Sequence, residues 1–283
     1  MPATLTPLRY PGGKTKYTNL FVDIITMNNL ENCTFVEVFA GGSGAAIKLL
    51  LNNHVTALFL NDFDVAIYSF WRVVKEWPAE LIKLIQNTQI SMGEWRRQKA
   101  IYDRKDATDM LALGFSTFYL NRCNHAGILE ARPIGGMKQA GTYRINSRFN
   151  KATSIAKIEA IAEHAASIEV FNLDGVGFLK HLKRTHRNRK CLIYFDPPYY
   201  QKGPALYLNH FGYEDHKALR DSILKCPFSW VLSYDTDEDI VDLYRGHDCK
   251  VYSNHIRHTI TGNASAEELI ISRLELPEYL EQL

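Results

Sequence analysis

An α/β fold interrupted by a mainly helical subdomain is predicted by three stretches of this 283-residue sequence. The run Thr34-Phe35-Val36-Glu37-Val38-Phe39 is β-branched and aromatic, and it leads through Ala40-Gly41-Gly42-Ser43-Gly44 into the apolar helix Ile47 to Leu51. Strand, glycine turn and helix in that order form the nucleotide-binding arrangement of α/β sheets. A later apolar run, Cys191-Leu192-Ile193, exits at Tyr194-Phe195-Asp196-Pro197-Pro198-Tyr199-Tyr200 and reads as a second buried strand. Between them, from about Val65 to Leu120, strand signals vanish and apolar residues recur at helical spacing. We therefore expect a domain built from residues 1–66 and 152–283, with residues 67–151 inserted into it.

Composition narrows the function classes. The net charge of +2 is too small to announce a nucleic-acid binder by itself, so any basic surface must be local. The five cysteines, Cys33, Cys123, Cys191, Cys226 and Cys249, are scattered with no Cys-x-x-Cys pair. That argues against a disulfide framework or a zinc site and fits a reducing cytoplasm. Met1 to Tyr10 has no apolar signal core, and no run is long enough to span a bilayer, so no membrane role is expected.

In chain order, Tyr10-Pro11-Gly12-Gly13-Lys14 is a turn permitting close backbone approach, followed by a helix through Ile25. After the glycine turn there is no Lys-Ser/Thr pair, which excludes a P-loop, and G-x-G-x-x-G does not fit. The strand Thr56 to Leu60 ends in Asn61-Asp62-Phe63-Asp64, about 20 residues past the glycines. Asp62 is placed to accept from ribose hydroxyls; Asp64 is the fallback or the cap of a helix starting at Val65.

Residues 121–151 are rich in Gly, Arg and Asn without clear periodicity, and a loop of that length is usually functional or disordered. From Trp95 to Lys151 there are 11 Lys and Arg against 4 Asp and Glu, so the basic charge is concentrated here. Arg122, Arg132, Lys138, Arg144 and Arg148, interleaved with Tyr143 and Phe149, suit phosphate contact with base stacking. Helix returns over Ile155 to Ala166, then a strand Ser167 to Leu173 ends in Asp174, which caps the next helix, reaches a cofactor, or does both. The basic run Lys180 to Lys190 precedes the Asp196 strand, at the opposite sheet edge from its carboxyl end, and reads as a solvated face.

At the strand exit, two prolines fix their own φ and push the preceding residue towards extended geometry. Asp196 is thereby held in a stiff turn with Tyr199 close behind. A carboxylate and the Pro197 carbonyl can each accept one N–H of a planar amino group, and an aromatic ring can stack on the base that carries it. Gln201 to Tyr213 reads as a lid, with a helix over Glu214 to Leu224 and a strand over Phe228 to Ser233. Val251 to His258 and Glu268 to Arg273 read as paired strands around a Gly262-Asn263 turn, and the tail after Leu276 as a peripheral helix.

Taken together, Tyr10 to Lys14, Glu37-Val38-Phe39-Ala40-Gly41, Asp62, Tyr119-Leu120-Asn121-Arg122 and Asp196-Pro197-Pro198-Tyr199 resemble the Dam family of DPPY-type adenine-specific DNA methyltransferases. The resemblance covers nearly the whole chain. It implies a class I S-adenosylmethionine-dependent methyltransferase fold, with a mixed seven-stranded sheet and helices on both faces. It implies S-adenosylmethionine as cofactor, held by Tyr10, Lys14, Glu37, Phe39, Gly41, Gly42, Asp62, Asp174 and Asp196. It implies double-stranded DNA as partner, with catalysis by Asp196, Pro197 and Tyr199 and no metal. Val38 stands where the family often has proline. Residues 123–151 differ from those of the best-known members, which read GATC, so that target is not carried over. Cytosine in DNA, RNA, or a catalytically silent DNA-binding scaffold are the alternatives. The recognition sequence and any restriction or mobile-element partner are not legible.

Overall fold

The computed structural model describes residues 4–10, 12–200, 211–257 and 265–283. Pro11, most of the expected lid (201–210) and the Gly262-Asn263 turn lie outside the described residues. The chain divides into two compact units, one of residues 1–18, 40–53 and 57–172, the other of residues 19–39, 54–56 and 173–283.

The first unit holds helix α2 (Gly44–Leu51) and the parallel strands β2 (Ala57–Asn61) and β3 (Ile168–Phe171). It also holds α3 (Val65–Glu76), α4 (Pro78–Asn87), α5 (Met92–Arg104), α6 (Met110–Cys123) and α7 (Lys151–Ala162). The helix starts follow local chemistry. Asp64 caps α3 by accepting from the Ala66 N–H at 2.8 Å, and Pro78 opens α4 where a missing donor costs nothing. Ser91 and Asp109 cap α5 and α6, and Asn150 caps α7 four residues earlier than periodicity suggested. Helices α3 and α6 pack closely because Gly114 has no side chain. A Cβ there would lie 2.8 Å from Val73 Cγ2 and 2.9 Å from the Ser69 carbonyl. Phe70 stacks on Phe118 at 6.2 Å in the core of this unit. These helices lie in one compact unit with α2, β2 and β3.

The second unit is built on a mixed sheet in the order β1-β4-β5-β7-β6-β8. The strands are β1 (Thr34–Glu37), β4 (Cys191–Phe195), β5 (Ser229–Asp235), β6 (Lys250–Arg257), β7 (Ser265–Ser272) and β8 (Glu281–Gln282). β1, β4 and β5 are parallel, whereas β7 runs against β5 and β6. β1 and β4 are buried along their whole length, as the apolar run of β4 requires; in β1 the polar Thr34 and Glu37 are buried with Phe35 and Val36. Helices α1 (Thr18–Met27), α8 (Gly175–Thr185), α9 (Tyr213–Leu224) and α10 (Glu238–Tyr244) complete the described α-helices. Phe21 of α1 packs on Phe35 and Tyr194 at 5.0 and 4.7 Å, which seats α1 on β1 and β4.

One expectation needs correction, and one helix had no expectation. The tail forms no helix: Glu281–Gln282 pairs antiparallel with Tyr252–Ser253, adding an eighth strand to the seven expected. The short helix Glu238–Tyr244, capped by Asp237, was not foreseen, since seven residues carry too little periodicity. Among the described residues no helix is long and apolar enough to cross a membrane.

Candidate donor-binding and catalytic residues

In the first unit the glycine turn is held from below and covered from above. The Trp71 indole donates to the Gly41 carbonyl at 2.9 Å, and the Gly41 N–H donates to Asp62 Oδ2 at 2.8 Å. Gly41 sits at φ +45°, and a Cβ on it would lie 2.8 Å from the Tyr10 ring; one on Gly42 would lie 2.8 Å from Tyr10 Cβ. Only glycine meets both demands. The space these glycines release is therefore taken by the chain's own Tyr10. Lys14 is buried, its ammonium 5.5 Å above the Tyr17 ring.

The position of Tyr10 traces back to Asn121, which the sequence offered only as part of a motif. The Asn121 amide accepts from the Arg9 N–H at 2.7 Å and donates to the Arg9 carbonyl at 2.7 Å and the Gly127 carbonyl at 2.8 Å. One buried side chain thus clasps the N-terminal segment to the start of the basic loop. Tyr119 in the same motif acts likewise, accepting from the Ser91 N–H and donating to the Gln89 carbonyl, both at 3.2 Å. Asn121→Ala would leave three backbone groups without their partner. At about 1 kcal/mol or more each, the expected loss is about 3 kcal/mol of stability, read as a lowered urea midpoint.

Asp62 lies just past β2. Its Oδ1 accepts from the Asp64 N–H at 2.9 Å, so both oxygens are fixed by backbone donors. Dense surroundings push its pKa up to about 7, against the opposing pull of those two N–H groups and of Lys105. Lys105 itself bonds Asp64 at 2.8 Å, and the same carboxylate caps α3. Phe63 follows Asp62 and is 59% exposed, with its carbonyl held by Asn172 at 3.0 Å.

In the second unit Glu37 is buried at the end of β1, and Phe39 follows half-buried with the Phe211 ring edge-on at 5.8 Å. Asp174 caps α8 by accepting from the Gly177 N–H at 2.8 Å. The neighbouring Gly175 packs on Val38 and Phe39, where an added Cβ would lie 3.2 Å from the Phe39 ring. Asp174 therefore stands exposed beside the segment carrying Phe39.

Asp196 follows β4 directly. Its Oδ1 accepts from the Ser233 hydroxyl of β5 at 2.9 Å. Pro197 is buried, and the two tyrosines after Pro198 are tied down one by one. The Tyr199 hydroxyl lies 3.4 Å from Glu268 Oε1 of β7, and the Tyr200 N–H donates to Asp235 Oδ1 at 3.2 Å. The buried His216 ring packs edge-on to Tyr200 at 5.4 Å and meets the Tyr234 hydroxyl at 2.7 Å; burial lowers its pKa to about 4, so it is neutral at physiological pH.

In the basic loop, Arg132, Lys138, Tyr143, Arg144 and Arg148 are exposed, Tyr143 at 66%. Arg122 differs. It is half-buried, its guanidinium donates to the Pro7 carbonyl at 3.4 Å and to the Arg148 carbonyl, and burial lowers its pKa to about 10. Phe149, read from sequence as a stacking ring, faces inward instead. It packs edge-on to Phe118 and Tyr119 at 5.5 and 5.4 Å and supports the loop from beneath.

The family model described as D12 class N6 adenine-specific DNA methyltransferase matches residues 10–260. The chain belongs to this family. It is an adenine-specific DNA methyltransferase, and its mixed α/β fold is that of the class I methyltransferases. The comparison with curated proteins gave no match. Among solved structures, the rRNA methyltransferase aviRa from Streptomyces viridochromogenes, determined at 1.5 Å, is similar at a TM-score of 0.40 and 9% identity. The alignment covers 93% of this chain and 86% of that one. A second structure of the same protein, at 2.4 Å, gives a TM-score of 0.39 and 8% identity over the same shares.

Four residues beside the expected ones were given no role from sequence: Phe63, Ser233, Asp235 and Glu268. Phe63 carried a readable signal, an aromatic next to the acid at a strand end. The other three reach the Asp-Pro-Pro-Tyr turn only through strand pairing, in which Asp235 faces Glu268 across β5 and β7.

Proposed function

We propose that this methyltransferase modifies the exocyclic amino group of adenine at a specific site in duplex DNA, using S-adenosylmethionine. The observation that carries the reading is Asp196, held by two prolines and by Ser233 in the turn after β4, with Tyr199 and Tyr200 tethered behind it. Residues 1–66 and 152–283 form the catalytic domain in this reading, and residues 67–151 the target-recognition insertion.

The residues fit the donor. Tyr10 packs over Gly41 and Gly42 at the start of α2, and its ring would line the donor there. The Asp62 oxygens, each already accepting one N–H, retain lone pairs for the ribose hydroxyls. Phe63 offers an exposed ring to the adenine moiety, while Phe39, Glu37, Lys14 and Asp174 complete the donor set. Bound S-adenosylmethionine supplies an electrophilic methyl on a sulfonium.

The target base must leave the stack, at a cost of a few kcal/mol. Stacking on Tyr199 returns roughly 1–3 kcal/mol of that. Asp196 and the Pro197 carbonyl accept the two amino protons, which localises the nitrogen lone pair. Positive charge develops on that nitrogen as it is methylated, so the Asp196 carboxylate stabilises the transition state more than the ground state. Arg132, Lys138, Arg144 and Arg148 meet phosphates, Tyr143 meets bases, and Arg122 holds the loop that presents them. Reduced thiols throughout suit a cytoplasmic protein.

The test is labelled methyl transfer from S-adenosylmethionine to duplex DNA, single-stranded DNA and RNA, followed by sequencing of the modified duplex. Label in adenine of duplex DNA, at one recurring sequence, is expected. Label in cytosine or RNA, or none at all, overturns the reading.

A further inference from the structure

The carboxylate of Asp196 is the end of a chain of hydroxyls that starts in the sheet interior. Tyr194 on β4 and Ser233 on β5 are both buried, and their oxygens lie 2.7 Å apart. Ser233 Oγ lies 2.9 Å from Asp196 Oδ1. An ionised carboxylate only accepts, so Ser233 uses its single proton on Asp196. The Tyr194 phenol must then donate to Ser233 Oγ. The direction Tyr194 to Ser233 to Asp196 is thus fixed by proton counting, and each bond polarises the next. Packing holds the first member: the Tyr194 ring packs against Phe21 at 4.7 Å and Phe35 at 6.3 Å. Parallel pairing of Tyr194 with Val231 and of Phe195 with Leu232 carries Ser233 to the level of Asp196.

We propose that Ser233 is a positioning residue for methyl transfer. By pinning Oδ1 it sets the rotation of the Asp196 carboxylate, and so where the oxygens meet the amino protons of the target base. This rests on the reading that Asp196 accepts from that amino group. Tyr194 acts one step further back, by orienting the serine hydroxyl.

The test uses the full chain with four variants, measuring kcat at saturating donor and duplex DNA, donor affinity by calorimetry, and Tm. Ser233→Ala is expected to lower kcat about 10- to 100-fold, the effect of a misplaced catalytic group, with donor affinity within about twofold of the parent. It also removes the Ser233 hydroxyl that the buried Tyr194 phenol bonds at 2.7 Å, so Tm falls. The double variant Ser233→Ala/Tyr194→Phe removes that phenol: Tm recovers, but kcat stays low. Ser233→Thr, which keeps a hydroxyl, restores most of kcat. A kcat within twofold of the parent in Ser233→Ala, or one that recovers with Tm in the double variant, overturns the proposal. Asp196→Ala separates the two layers. If it is inactive while Ser233→Ala is fully active, the positioning role alone is wrong. If it is itself active, the role of Asp196 fails and that of Ser233 falls with it.

Discussion

Asp196→Ala is expected to lower kcat for methyl transfer by about 10³-fold or more, while S-adenosylmethionine affinity falls by no more than about tenfold, the loss of one contact among several. The size follows from what the carboxylate does at successive stages. In the ground state it accepts a single hydrogen bond from a neutral amine. In the transition state it faces a nitrogen gaining positive charge inside a partly water-excluded turn, where the same contact is far stronger. Alanine keeps the fold of the turn, because Pro197 and Pro198 fix its geometry and Tyr199 and Tyr200 remain anchored to Glu268 and Asp235. Single-turnover methyl transfer measured beside calorimetric donor binding separates chemistry from binding. A variant that retained turnover within tenfold of the parent would show that the amine needs no acceptor there, and the mechanism would have to be abandoned.

Much of this turn was legible in the sequence because its determinants are local. Proline fixes φ whatever surrounds it, and an apolar run ending in Asp-Pro-Pro marks a strand exit without further information. The same holds for the caps: Asp64 and Asp174 each sit one residue before a helix, and each accepts from that helix's first turn. The glycine turn was equally plain, but its occupant was not. Sequence suggested open backbone, whereas the Tyr10 ring covers Gly41 and Gly42. That contact depends on Asn121, 112 residues away from Arg9.

Non-local pairing explains the other gaps. Ser233 is one small polar residue in an apolar strand, and nothing in Trp230-Val231-Leu232-Ser233 says that strand register will bring it to Asp196. Phe149 reads as a stacking ring among arginines until Phe118 and Tyr119 are found beneath it. Arg122 reads as one more exposed cation in a basic loop. Its guanidinium meets the Pro7 and Arg148 carbonyls, because helix α6 ends against the N-terminal segment. In each case composition gives the residue type, and tertiary contact decides whether that residue faces solvent or supports its neighbours.

Donor affinity is expected to rise with pH through about 7 and to level off above it, with Asp62 as the cause. The sign follows from which form binds. Ribose hydroxyls donate, so the ionised carboxylate is the binding form, yet in the free protein its dense surroundings hold the pKa near 7. Below that value each pH unit should weaken binding by up to about tenfold, because a proton must first leave. The same shift acts on folding with the opposite trend. A carboxyl whose folded pKa lies above its unfolded value loses stability as pH rises from about 4 to about 7, and a donor that favours the ionised form offsets this loss. The Tm gained on adding S-adenosylmethionine should therefore be larger at pH 8 than at pH 6. Asp62→Asn replaces two charged acceptors with one neutral acceptor and an amide that faces a backbone N–H. At about 1.5 kcal/mol for each charged bond to the ribose, affinity should drop about 100-fold at pH 8, and the pH dependence should disappear. Calorimetry across pH 5.5 to 8.5 on both proteins checks this. If the parent's affinity were flat across pH 7, or if the variant kept the same slope, Asp62 would not be the group that holds the ribose.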